Sequence, residues 1–125
     1  MARVRVDWEG LREIPSATTY KLPAKEAVRL RNAKYVTAFL YVWTGASGTG
    51  TLVIDSAADP NFPDGMWNTV ATFAAADLAT SGVVKLKNLN AVSGALDISE
   101  YLRWRITAGT TSALNFSLVL FIYDQ

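Results

Sequence analysis

Cysteine and histidine are both missing from this chain of 125 residues. Without cysteine there is no disulfide framework of the kind that small secreted domains often need, and the absence fits intracellular synthesis. Without histidine the commonest general base is gone, together with the Ser-His and Cys-His nucleophile pairs and the commonest zinc ligand. Charge is scarce as well. Only 18% of residues are charged, and 12 basic against 11 acidic side chains leave a net charge of +1. That balance produces no field strong enough to gather nucleic acid. Long apolar runs are also absent. The closest, "TAFLYVW", is far too short to span a membrane. The opening "MARVRVDWEG" carries Asp7 and Glu9 where a signal peptide has an apolar stretch. These absences predict no membrane association, no direct nucleic-acid binding, no cofactor and no enzyme activity.

What the chain does have is apolar surface. Hydrophobic residues make up 50% of it, which excludes a disordered chain and suits one globular domain. A domain of this length buries roughly two thirds of its unfolded surface and folds without a metal or a disulfide.

Period two dominates the pattern. "RVRV" at 3–6, "AVRLR" at 27–31, "VVKLK" at 83–87 and "YLRWRIT" at 101–107 each alternate apolar and polar residues. In the last, Leu102, Trp104 and Ile106 share one face and Arg103 and Arg105 the other. Such alternation sets one face on a core and the other in polar surroundings. Strands are predicted near 2–8, 18–22, 27–31, 34–44, 50–56, 67–74, 82–88, 101–108 and 114–123, with turn-rich segments between them. A helical turn is accommodated in each of "FAAADLATS" and "SGALDISEYL". The fold class is all-β: an antiparallel β-sandwich, jelly-roll-like. Residues 1–26 read as an N-terminal arm or irregular lead-in, and 27–125 as the sandwich domain.

Two strands break the alternation. In "KYVTAFLYVWT" (34–44), Tyr35, Phe39, Tyr41 and Trp43 share one parity, and Val36, Ala38, Leu40 and Val42 the other. In "LNFSLVLFIYD" (114–124), Val119, Phe121 and Tyr123 stand against Leu114, Phe116, Leu118, Leu120 and Ile122. In a sandwich only one of two such faces meets the core. A segment of the same chain, or another chain, must cover the second.

"DSAADPNFPDG" holds Asp55, Asp59, Asn61 and Asp64, just before Trp67. The spacing lacks the calcium-loop pattern. It reads as a turn between strands, with a ligand loop as the sharper alternative. Trp8, Trp67 and Tyr101 offer rings for a sugar-stacking platform. Glu100 and Asp97 are carboxylates with no partner motif. The glycine-rich "GASGTG" joins two strands rather than opening a helix, so it reads as a hairpin and not as a phosphate loop. The basic residues Arg3, Arg5, Arg29, Arg31, Lys85, Lys87, Arg103 and Arg105 read as solvated strand faces or interchain salt bridges.

From Trp67, Val70 and Phe73 ("W-x-x-V-x-x-F"), through Tyr101, Leu102, Arg103 and Arg105 ("YLR-x-R"), to Phe116 and Leu120 ("F-x-x-x-L"), the chain resembles small β-sandwich accessory proteins encoded beside the capsid genes of tailed bacteriophages and prophages. The resemblance covers roughly residues 50–123, and the first 45 residues carry none of it. The same motifs are also similar to discoidin-type and carbohydrate-binding jelly rolls. The first resemblance implies a non-catalytic virion protein that decorates or cements a capsid, made in the host cytoplasm. Its implied partners are further copies of itself and a major capsid protein or another virion protein. Tyr35, Phe39, Tyr41, Phe121 and Tyr123 are then the expected contact residues. The second implies a sugar- or cell-surface-binding module.

Overall fold

The computed structural model describes residues 2–14, 19–30, 35–44, 50–78, 82, 84–90, 100–107 and 112–123; within these, the side chains of 2–14, 20, 35, 44, 84–88, 90 and 112–115 are not described. The described residues form nine strands: β1 (Ala2–Ile14), β2 (Thr19–Lys21), β3 (Val28–Arg29), β4 (Tyr35–Thr44), β5 (Thr51–Ala57), β6 (Asn68–Phe73), β7 (Val84–Asn90), β8 (Tyr101–Thr107) and β9 (Ser112–Tyr123). One helical turn, α1 (Ala75–Leu78), follows β6. The second helical turn expected, within 93–102, falls mostly outside the described residues, as does most of the "GASGTG" hairpin.

Every described strand pairing is antiparallel. One sheet has four strands in the order β1-β9-β4-β7, and the other has β2-β8-β5-β6 with β3 also on β8. The chain crosses between sheets after β1, returns for β4, crosses again for β5 and β6, and then alternates through β7, β8 and β9. This threading makes the molecule an all-β sandwich with a jelly-roll-like strand order.

Period two explains the core. Val36, Ala38, Leu40 and Val42 of β4 and Phe116, Leu118, Leu120 and Ile122 of β9 point inward from the four-stranded sheet. Leu52 and Ile54 of β5, with Leu102, Trp104 and Ile106 of β8, meet them from the other sheet, and all join one buried cluster. Phe73 and Leu78 belong to it too, so the α1 turn seals one part of the core. Each buried valine, leucine, isoleucine or phenylalanine among them contributes about 1.5–3 kcal/mol of apolar burial. The ring of Trp104 stands edge-on to Phe116 across the two sheets, with centroids 5.5 Å apart.

Strand β1 runs through residue 14, beyond the end expected near residue 8. Its pairing with β9 continues from Ala2–Tyr123 to Ile14–Ser112. Local pattern gave no hint of this, because Asp7, Glu9 and Gly10 interrupt the apolar alternation. The partner strand, not propensity, sets the length. The first part of the segment expected as an arm thus lies along the edge of its own sheet. At the turn before β7, Gly82 takes φ 79°, a left-handed conformation that costs glycine little. Its N–H donates to the Val42 carbonyl at 2.7 Å and ties the turn to β4.

Candidate functional site

Two outward faces carry the residues singled out from the sequence. The first belongs to the four-stranded sheet. Because the aliphatic parity of β4 and β9 fills the core, the aromatic parity faces out. Phe39, Tyr41, Phe121 and Tyr123 are each half-buried on this face. Tyr35 pairs with Tyr123 and Asn90 in the register, and its side chain lies outside the described residues. Phe39 meets Phe121 edge-on, with ring centroids at 5.4 Å and planes at 82°. Tyr41 meets Trp43 in the same way at 4.4 Å. Edge-to-face pairs of this kind add roughly 0.5–1.5 kcal/mol beyond burial.

Trp43 was not among the expected contact residues, yet it is the most prominent side chain here. It is 55% exposed, and its indole Nε1 donates to Ser117 Oγ of β9 at 2.8 Å. The signal was in the sequence: Trp43 shares parity with Tyr35, Phe39 and Tyr41. This is a contiguous, partly exposed aromatic surface across the two central strands of the sheet.

The second face belongs to the other sheet and is ionic. Asp55 on β5 sits directly across from Arg103 on β8 in the register. Arg103 Nε donates to Asp55 Oδ2 at 3.3 Å, and Arg105 Nε donates to the same oxygen at 2.9 Å. On the other side, Thr69 of β6 donates its hydroxyl to Asp55 Oδ1 at 3.0 Å. Asp55 is only 1% exposed and Arg103 4%. The bond from Asp55 raises the Arg105 guanidinium further above its ordinary range.

The aspartate-rich loop folds over this network. Asp59 Oδ1 accepts from the Asn61 backbone N–H at 2.9 Å, a local turn. Pro63 then leads into a 3-10 turn, Asp64–Met66. Asp64 Oδ1 accepts from Lys21 Nζ at 2.8 Å and from Arg103 Nη1 at 3.2 Å. The hydrogen bond from Lys21 lowers the Asp64 carboxyl below its ordinary value of 3.8, with Arg103 adding to the effect. Trp67 is 7% exposed, donates its indole N–H to the Phe62 carbonyl at 2.9 Å, and lies 4.2 Å under the Arg103 guanidinium. The indole adds a cation–π contact to the network.

The four polar residues of the loop therefore divide. Asp55 and Asp64 neutralise arginine and lysine, while Asp59 and Asn61 shape a turn. Among the described residues no three acidic side chains converge. Trp67 is covered by the Arg103 guanidinium rather than open to solvent. The side chain of Trp8 lies outside the described residues. Glu100, which looked unpartnered, accepts from Arg29 Nε at 2.9 Å on the surface, and Asp97 lies outside the described residues. Arg103, read from its parity as a solvated or interchain residue, is buried within its own chain. The reason is the loop laid over it, which alternation along a strand cannot reveal.

No protein-family model and no curated protein matches the chain. Among solved structures, the chain is similar to the PBSX exported protein XepA, with a TM-score of 0.58 and 17% identity over 94% of this chain and 37% of that one. The chain thus spans little more than a third of XepA, and the likeness is one of fold. Weaker similarities run to a subunit of Bacillus endospore appendages, described as disulfide-linked pili (TM-score 0.47, 16% identity, 96% of this chain and 84% of that one), and to the VP2 subviral particle of infectious bursal disease virus (TM-score 0.43, 15% identity, 98% and 34%).

Proposed function

We propose that this chain is a non-catalytic structural protein of a virion, a capsid decoration or cement protein or a related head accessory, acting through contacts between its own copies and with a capsid protein. One observation carries the reading: the outer face of the four-stranded sheet, where Phe39, Tyr41, Trp43, Phe121 and Tyr123 form a partly exposed aromatic surface. An aromatic surface of this kind marks a protein–protein contact in a soluble domain. On the other outward face, acidic and basic side chains pair beneath a loop of the same chain. The capsid-accessory resemblance of residues 50–123 supports the same reading, and the shared sandwich frame of XepA is compatible with it. A shell protein needs a rigid frame and a sticky face, and many weak contacts on one lattice add up by mass action.

The test is sedimentation equilibrium of the purified chain up to high micromolar concentration, followed, where a capsid gene neighbours its own, by co-sedimentation with that capsid. Self-association or capsid binding, lost in a Phe39→Ser, Trp43→Ser double variant that remains folded, supports the proposal. A chain that stays monomeric and ignores capsids overturns it.

A further inference from the structure

The loop over the five-stranded sheet leaves a cleft of about 180 Å³ against the segment around Lys21 to Ala27. Much of its wall is apolar, with Leu22, Pro23 and Phe62 among the lining residues. The charged side chains that line it, Lys21 and Arg103, are both cationic.

Charge counting within the ion-pair network beside the cleft leaves a remainder. Lys21, Arg103 and Arg105 meet the two carboxylates Asp55 and Asp64, so one positive charge is in excess. Donor counting leaves one too. Arg103 spends Nε on Asp55 and Nη1 on Asp64, while its Nη2 is buried with no hydrogen-bond partner among the described residues. A guanidinium nitrogen buried without an acceptor is costly, and folded proteins rarely keep one without a use. Lys21 Nζ gives one hydrogen to Asp64 and has further hydrogens to offer.

We infer that this cleft binds a single small carboxylate, held by Lys21 and Arg103 with its carbon end against Leu22, Pro23 and Phe62. Size sets the ligand class. The cleft is smaller than the roughly 300–1,000 Å³ of pockets for drug-sized molecules, so it takes a short aliphatic acid or one acidic group of a larger partner. The site lies on the opposite sheet from the aromatic face and stands or falls independently of it.

The experiment titrates the full chain at constant ionic strength with sodium propionate and, separately, with propionamide. The readout is the Trp67 indole N–H resonance, since that group donates to Phe62 on the cleft wall. Propionate is expected to shift it saturably and propionamide to leave it in place. Lys21 is half exposed, so its variants keep the fold: Lys21→Met weakens propionate about tenfold through loss of a charge-assisted bond, and Lys21→Arg retains it. An end-capped peptide carrying one glutamate distinguishes the source of the carboxylate. Tighter saturation than by propionate points to an acidic side chain of a docking protein, and weaker or no saturation points to a free acid. Equal response to acid and amide, a shift that never saturates, or unchanged affinity in Lys21→Met overturns the site.

Discussion

The two outward faces of this sandwich solve the same problem in opposite ways. On the five-stranded sheet, the polar parity of β5 and β8 is closed by the chain itself: Asp55 pairs with two arginines, and the 58–67 loop lays Asp64 and Trp67 over them. On the four-stranded sheet, the aromatic parity of β4 and β9 packs ring against ring, and Trp43 stays 55% exposed. Ion pairs within the chain brace the loop against its sheet. Apolar area left half open makes a surface that gains by being covered, at about 25 cal/mol per Å² removed from water. The contrast sets a partly open aromatic face on one side of the molecule and internal bracing on the other.

Breaking the braced side should have the largest effect. Asp55→Ala leaves Arg103 buried without its carboxylate, and the expected loss is about 3–5 kcal/mol in urea unfolding. A loss under 1 kcal/mol would mean that the network is incidental and that packing alone closes this face. Changing the open side should do the reverse. Phe39→Ser with Trp43→Ser is expected to cost only about 1–2 kcal/mol of stability, since both rings are partly exposed, while abolishing association in sedimentation. Trp43→Phe keeps the ring and removes the bond to Ser117, so about 0.5–1 kcal/mol is expected in the same unfolding assay. The smallest effect is on pH dependence. Asp64 is held below 3.8 in the folded protein, so the stability from its bridges to Lys21 and Arg103 is complete above that value. It is lost as pH falls through the lowered value, because the unfolded chain then binds the proton more readily. Asp64→Asn should flatten the acid limb of the melting curve slightly, by lowering stability a little at neutral pH, where the bridges are formed, and leaving the acid end almost unchanged.

Much of the frame was legible in the sequence. Alternation in "YLRWRIT" placed Leu102, Trp104 and Ile106 inside, and the turn residues separated the strands. The orientation of β4 and β9 was not legible, since both parities are apolar. The structure puts the small and aliphatic side chains Val36, Ala38, Leu40 and Val42 between the sheets and the aromatic ones outside. Tyrosine and tryptophan carry a polar tip that water can satisfy, so they suffer least from a half-open position. The ionic network was invisible for a different reason. Asp55 and Arg103 meet through the β5–β8 register, and no local pattern encodes a register between strands so far apart. The aspartates of the loop were visible as turn formers, but their charge partners come from β2 and β8.

Strand β9 lies between β1 and β4, although it is the last of the nine to be reached along the chain. During synthesis, β4 has emerged and β1 has no partner until residues 112–123 follow. Closing contacts as remote as Gly10 with Phe116 puts this topology among slow folders, with times of roughly milliseconds to seconds. The aromatic surface, drawn from both β4 and β9, is therefore completed at the final step. A nascent chain cannot display the finished aromatic face before its last strand has docked.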